Sequence, residues 1–389
     1  MRISCIHQGY ELYGSDRCFV ESVAAIRKAY PQAEIEVVLP REGPITRLLD
    51  GKVDKISIEP IWVLRRKSLP KLLTFGALQL PFAIARAARR LRRADIVYVN
   101  TSVIVDYQIA ARFFPGKAVL HIHEIPEEPV KSVLRRLARW SGAEVIFNSR
   151  ATQRAFAPLS EAGSQVIYNG LAAPKLERFP IYDGSRPLRL LMLGRINRIK
   201  GQEVLLKAIA SLPEASRAKL EVRMVGSAFE NPAAESALYA LVAELGLRDR
   251  VSVEPFVSDT EPLYRWADVV VAPSRLPESL GRVAIEAMSY GLPALVSSIG
   301  GLVEVIEEGR TGWFTPPDDA GALAQRLATI LECPEAWRGF GAAARARFEA
   351  MFSETAAANA LAQLFARKFA RLSTGVAAPA DGPALAARP

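Results

Sequence analysis

Short apolar runs rich in β-branched residues alternate with longer stretches of helical period, and the alternation runs twice along the chain. Residues 3–6, 35–39, 96–99, 118–122, 144–147 and 166–168 read as strands in the first half. Residues 188–193, 220–225, 251–255, 269–272 and 294–296 do so in the second. Their apolar character is continuous rather than alternating, which a parallel sheet covered on both faces requires. The predicted fold class is therefore α/β, with two doubly wound, Rossmann-like domains facing each other across a cleft. Pro, Gly and polar residues concentrate within 169–186 and mark the joint. The domains are accordingly 1–175 and 188–350, joined by a linker at 176–187. Helical period returns over 351–372, and the Ala/Pro/Gly-rich remainder, 373–389, reads as a disordered tail.

Composition narrows the function classes. A chain of 389 residues exceeds one ordinary core, in keeping with two domains. The 3 cysteines, Cys5, Cys18 and Cys333, are too few and scattered for a disulfide framework or a four-thiolate zinc site, and they suit a reducing cytosol. The 3 histidines, His7, His121 and His123, argue against a metal site built on clustered imidazoles. No basic-then-apolar leader pattern opens the sequence, and the longest uncharged apolar stretch, 72–85, is too short to span a bilayer. The protein is expected in the cytoplasm, soluble or resting on a surface. Charge is uneven: residues 1–182 hold 27 Lys and Arg against 17 Asp and Glu, whereas 183–389 hold 23 against 24. Residues 61–93 hold nine basic residues and no acid. Nucleic acid or an anionic membrane face would meet such a stretch, and a merely solvated surface is the plain alternative.

Open α/β sheets bind ligands beyond the carboxyl ends of their strands, so chemistry is sought in the loops that follow strands. After 188–193 comes GRINRIKG, in which Arg195, Arg198 and Lys200 crowd a loop bounded by Gly194 and Gly201. Cations beside a helix N-terminus suit a pyrophosphate, although such a loop is equally a solvated turn. After 269–272 comes PSRLPESLGRVAIEAMSYG, with Glu278 ahead of a helix over about 281–289 and Glu286 inside it. Eight residues of helix rise about 12 Å, roughly the reach of a nucleoside diphosphate-sugar from ribose to sugar ring. A carboxylate at each end can hold hydroxyls of sugar and ribose, while the amides of Leu280, Gly281 and Arg282 face phosphate. The plainer reading makes Glu278 a cap and Glu286 a surface acid; Val283, Ala284, Ile285, Ala287 and Met288 around Glu286 argue against it. His123 ends the strand AVLHIH, a carboxyl-end position that favours a role in a site, and His121 is expected to point to the opposite side. Gly9 and Gly14 have P-loop spacing without the following Lys-Ser/Thr, and no G-x-G-x-x-G follows the first strand, which tells against an NTPase and a dehydrogenase.

Together these segments resemble the family 4 retaining glycosyltransferases, the glycosyl transferases group 1 of GT-B fold. The resemblance covers residues 1–370 and is densest over 264–318, in LYRWADVVVAPS, ESLGRVAIEAMSYGLPALVSS and GGLVEVIEEGRTGWFTPPDD, with VIYNGL upstream. The Arg-x4-Lys-Gly and Glu-x7-Glu patterns are specific as a pair. The resemblance implies that Arg195 and Lys200 contact the donor diphosphate, that Glu286 binds ribose and that Glu278 binds the transferred sugar. It implies that His123 is the active-site histidine across the cleft. Leu280 stands where the family has Phe and would line the site through its backbone, beside Gly281 and Arg282. The family's glycine-rich first loop is GYELYGSDR here; Gly14 is the expected phosphate contact, and the usual Gly-Gly pair is reduced to Tyr13–Gly14. The helical run from about 354 to 371 is implied to return and pack on the N-terminal domain.

The expected activity is transfer of a sugar (mannose, glucose or similar) from a nucleoside diphosphate-sugar to an acceptor hydroxyl, with retention at the anomeric carbon. The N-terminal domain would bind the acceptor, a lipid-linked or surface-polysaccharide precursor, and the C-terminal domain the donor. Arg195, Lys200 and the helix start near Gly281 would stabilise the departing diphosphate without a metal, and no Asp-x-Asp motif is present. No cofactor is expected, and the expected catalytic set is His123, Glu278, Arg195 and Lys200. A nucleotide-sugar epimerase or hydrolase on the same fold is the alternative among enzymes. Outside enzymes the alternative is a basic nucleic-acid-binding protein, for which 61–93 carries no recognisable motif. Peripheral attachment to the anionic inner face of the cell membrane is expected through the N-terminal domain. In KSVLRRLARW, residues 131–140, Val133, Leu134, Leu137 and Trp140 recur at helical spacing while Lys131, Arg135, Arg136 and Arg139 hold four of the remaining positions.

Overall fold

A computed structural model of the chain describes residues 1–10, 14–64, 77–157, 159, 164–175, 182–228 and 231–374. One parallel sheet holds β1 (Arg2–Ile6), β2 (Glu34–Leu39), β3 (Lys55–Ile58), β4 (Ile96–Asn100), β5 (Ala118–Ile122), β6 (Glu144–Phe147) and β7 (Gln165–Val166), in the order β3-β2-β1-β4-β5-β6-β7. A second holds β8 (Leu188–Leu193), β9 (Leu220–Val225), β10 (Val251–Glu254), β11 (Val269–Ala272), β12 (Ala294–Ser297) and β13 (Gly312–Thr315), in the order β10-β9-β8-β11-β12-β13. The central strands explain the continuous apolar runs: every residue of β4 and β5 is buried, because helices cover both faces of the sheet. In each sheet the order reverses beside the first strand, between β1 and β4 and again between β8 and β11. Those two switch points open the crevices in which doubly wound sheets take ligands.

The structure adds two strands that the apolar pattern does not reveal. β3 is a four-residue edge strand, KISI, whose Lys55 and Ser57 break the apolar run. β13, GWFT, begins on a glycine that lets the Ala294 carbonyl approach within 2.0 Å of where a Cβ would lie. The run at 166–168 pairs only over Gln165–Val166.

The helix Glu354–Thr374 lies against the helix Gly14–Ala29 of the first domain. Leu361, Leu364 and Phe365 join Phe19 and Val23 in one core, and the Tyr30 hydroxyl donates to the Ala362 carbonyl at 3.0 Å. This helix reaches Thr374, and the remainder of the expected tail, 375–389, lies outside the described residues.

Two expectations about the basic half change. In the helix Val130–Ser141, Leu134 and Ala138 are buried in the core while Val133 and Trp140 stay 52% and 47% exposed. The expected four-residue apolar stripe is therefore split between core and solvent. Within the acid-free stretch 61–93, Arg90 is clasped by Glu36 and by Glu59, the latter at 2.6 Å, so part of that charge is neutralised from neighbouring segments. Residues 65–76 of the stretch lie outside the described residues.

Candidate active site

The loop after β8 runs from Gly194 to Gly201 and turns into the helix Gln202–Ser211. Gly201 has φ +77, and a Cβ on it would stand 2.0 Å from the Pro273 carbonyl, so this loop presses directly on the loop after β11. The approach brings Lys200 Nζ to 2.8 Å from Glu278 Oε2, and the Ser274 hydroxyl donates to the other carboxylate oxygen. Burial opposes ionisation of Glu278, but the Lys200 ammonium and the two hydrogen bonds outweigh it and hold the carboxyl below its usual range. Arg195 is exposed, and Arg198 reaches across to Glu127 of the first domain at 2.9 Å.

Two residues beyond Leu280 begins the helix Arg282–Ser289. Gly281 starts it at φ +88, where a Cβ would lie 2.4 Å from Leu302 Cδ2, so a larger residue would displace the helix start. Glu286, one turn along, accepts from Tyr264 Oη at 2.5 Å and from Arg282 Nε at 2.7 Å. Arg282 also binds Glu21 of the first domain, Nη2 at 2.7 Å and Nη1 at 2.8 Å. The apolar neighbours of Glu286 are thus offset by partners that its spacing does not disclose.

Across the cleft, His123 follows directly on β5. His121 and His123 do not point to opposite sides: their ring centroids are 3.9 Å apart. Residues i and i+2 of a strand share a face, and the same geometry carries through to the residue just past the strand end. All three histidines gather here. Tyr98 Oη lies 2.5 Å from His121 Nδ1, Asn100 Nδ2 lies 3.2 Å from His7 Nδ1, and His7 Nε2 lies 2.9 Å from Asp16 Oδ1. Neither ring nitrogen of His123 has a hydrogen-bond partner among the described residues. Burial foremost, then the neighbouring imidazoles, pushes the pKa of His123 well below its usual value, so the ring is neutral. Beside it Glu124 accepts from Ser102 N at 2.7 Å and Thr101 Oγ1 at 2.8 Å. Thr101 holds φ +149, a conformation a β-branched residue adopts only under constraint, at the carboxyl end of β4.

A cavity of about 240 Å³ joins the two sides. Gly14, His123, Glu278, Leu280, Gly281 and Arg282 all border it. Lys200 touches it through Glu278, Glu286 stands behind it through Arg282, and Arg195 is not among its lining residues. Glu21, Cys18 and Asn169 were not singled out from sequence. Asn169 Nδ2 donates to Cys18 Sγ at 3.1 Å between the segment after β7 and the first helix, and both residues border the cavity. The asparagine stands inside the VIYNGL segment, the one signal that could have drawn attention to it.

Residues 177–347 match the family described as glycosyl transferases group 1. The chain is 33% identical over 237 residues to D-inositol 3-phosphate glycosyltransferase of Streptomyces scabiei, covering 54% of this chain and 53% of that protein. It is 36% identical over 190 residues to the Thermobispora bispora protein of the same name, covering 47% and 44%. The matched stretch therefore spans about half the length of these curated relatives. Over the whole fold, the structure of Anabaena Alr3699/HepE in complex with UDP superposes with TM-score 0.77 at 25% identity, covering 94% of this chain and 100% of that one. The same Anabaena protein in complex with UDP-glucose gives 0.75 at 25% identity, covering 94% and 100%. The two-domain GT-B architecture is the fold of this chain.

Proposed function

We propose, from the premise that residues 177–347 belong to the glycosyl transferases group 1, that the protein is a glycosyltransferase moving a sugar from a nucleoside diphosphate-sugar to an acceptor hydroxyl. The observation that carries this reading is the Lys200–Glu278 pair, 2.8 Å apart, beside the start of the helix Arg282–Ser289 and opposite His123 across one cavity. The UDP and UDP-glucose complexes of the Anabaena protein support a nucleotide-sugar donor. In the reaction the bond from the anomeric carbon to the diphosphate oxygen breaks and a bond from the acceptor oxygen forms. The hydroxyl proton leaves with the departing diphosphate. Negative charge grows on that diphosphate, and we assign it to Lys200, Arg195 and the amides of Leu280, Gly281 and Arg282, with Gly14 closing over the phosphates. Glu278 accepts from hydroxyls of the sugar, Glu286 from those of the ribose, and neutral His123 hydrogen-bonds the sugar from the acceptor side. We assign no metal or other cofactor to the step, and retention at the anomeric carbon.

Incubation with a panel of UDP- and GDP-sugars plus an acceptor should release nucleoside diphosphate in step with glycosylated acceptor. D-inositol 3-phosphate, which the relatives' name contains, is the first soluble acceptor to try, and a lipid-linked glycan precursor the second. Epimerised nucleotide-sugar formed without acceptor would overturn the transferase reading.

We place the acceptor side on an anionic membrane surface. The helices Ala77–Arg93, Val105–Ala111 and Val130–Ser141 form one layer over the first sheet. Leu78, Phe82 and Phe113 in or beside that layer are 74%, 70% and 69% exposed, with Val133 and Trp140 added from its last helix. Residues 77–94, 107–123 and 129–143 contain no Asp or Glu. Such a face can set apolar side chains among headgroups while Arg89, Arg92, Arg136 and Arg139 meet anionic lipid, each worth ~1 kcal/mol near the surface. No helix among the described residues is long and apolar enough to cross a membrane. Sedimentation with vesicles should require anionic lipid and fade with salt; equal partitioning onto neutral vesicles would overturn the anionic surface, and no sedimentation at low salt would remove the membrane from the account.

A further inference from the structure

One guanidinium is shared between an acid of each domain. Arg282 gives both Nη groups to Glu21, at 2.7 and 2.8 Å, and only Nε to Glu286, at 2.7 Å. The Glu21, Arg282 and Glu286 side chains are 20%, 22% and 18% exposed, so this triad is mostly out of water. The helix that carries Glu21 touches the second domain again through Arg17 Nη2, which donates to the Ser258 carbonyl at 2.8 Å.

We propose that Glu21, which lies in the domain that does not hold the nucleotide, is a positioning residue for nucleotide binding, and that it acts by keeping the Arg282 fork off Glu286. A carboxylate offers about four lone-pair sites. Glu286 uses one for Arg282 Nε and one for Tyr264 Oη, which leaves about two free, the number that a pair of vicinal ribose hydroxyls needs. Without Glu21 the Nη groups keep only the weak acceptor Cys18 Sγ, 3.4 Å from Nη1, in a site where a poorly satisfied guanidinium is costly, and the nearest carboxylate is Glu286, already bound through Nε. Arg282 then turns to a two-pronged contact with Glu286 and occupies the sites the ribose would take. The same connection runs the other way. A nucleotide that favours the arrangement with Arg282 held by Glu21 also favours closure of the two domains, because coupling between sites is reciprocal.

The inference rests on Glu286 being the ribose ligand. The test is calorimetric titration with UDP, and with GDP if UDP does not bind, of the wild type, Glu21→Gln, Arg282→Ala, the double variant and Lys200→Ala. Glu21→Gln should lose about tenfold in affinity, the effect of one charge-assisted hydrogen bond. In the Arg282→Ala background the same substitution should change affinity less than about twofold, because nothing is left to restrain. Equal loss in both backgrounds, or none in Glu21→Gln, would overturn the proposal while a nucleotide affinity dependent on Lys200 kept the donor reading standing. Failure of the wild type to bind either nucleotide would overturn both. As a second readout, small-angle scattering should show the wild type contracting on nucleotide addition and Glu21→Gln contracting less; equal contraction would also count against the coupling.

Discussion

Glu278 and Glu286 sit on either side of one short helix start, yet their partners differ. Glu278 faces a lysine and a serine, Glu286 an arginine and a tyrosine. Lys200→Ala leaves the buried Glu278 without its counter-ion and removes the cation assigned to the leaving diphosphate. Turnover should fall at least about 100-fold, the scale of removing one preorganised group that stabilises developing charge, with the fold intact by circular dichroism. Near-wild-type turnover would remove Lys200 from the site. His123 invites a different test. Because its folded-state pKa is depressed, the folded protein binds that proton less readily than the unfolded chain does, and any stability linked to it is lost only as pH falls below the usual histidine range. Around neutrality the ring is uncharged and both nitrogens are free for a ligand. His123→Ala should therefore lower turnover more than it weakens binding of free nucleoside diphosphate, as separate kinetics and calorimetry will show. A large loss of nucleotide affinity at unchanged turnover would contradict its place on the acceptor side.

Among elements, the helix Val105–Ala111 carries a buried acid in its first turn. Asp106 accepts from Trp62 N at 3.2 Å and Tyr107 N at 3.0 Å, but burial outweighs these bonds and raises its pKa from 3.8 to about 6. A raised carboxyl pKa means stability present below about pH 4 and lost as pH rises through 6. Asp106→Asn, uncharged throughout, should flatten the fall in melting temperature over that window; parallel wild-type and variant profiles would show that Asp106 is not the cause. The helix Glu354–Thr374 depends on Phe365, fully buried against the first domain, and Phe365→Ala should cost about 3–5 kcal/mol in denaturant unfolding. A loss under about 1 kcal/mol would mean that this helix is held elsewhere. The fully buried strands were legible in sequence because burial on both faces leaves no polar alternation to confuse them. β3 was not, since an edge strand has one face in water and reads as polar. In the candidate site the residue types and the eight-residue spacing were legible, but their partners were not. Lys200 and Glu278 are 78 residues apart, and Glu21 and Arg282 are 261 apart. Only the packing of β8 beside β11, and of one domain upon the other, brings them together. The two-residue strand period alone pairs His121 with His123, whereas His7 joins them only through the strand order β1-β4-β5.

At the scale of the whole molecule the site exists only because two similar sheets present their switch points to each other. Several contacts hold that arrangement besides the Arg282 triad. Glu304 of the second domain accepts from Arg150 N at 2.7 Å and Ala151 N at 2.6 Å, and the Ser149 hydroxyl donates to the Ser279 carbonyl beside the cavity. The helix Glu354–Thr374 then ties the end of the chain back to the first domain. The central claim is that Glu278 meets the sugar and Glu286 the ribose of one donor lying along the helix start between them. It is tested most directly by titrating wild type, Glu278→Gln and Glu286→Gln with a nucleoside diphosphate-sugar and with the matching free nucleoside diphosphate. The account predicts that Glu286→Gln weakens both ligands alike, whereas Glu278→Gln weakens the sugar-bearing ligand by about tenfold and leaves the free diphosphate no weaker. Equal losses for both ligands in Glu278→Gln, or unchanged binding in both variants, would contradict it.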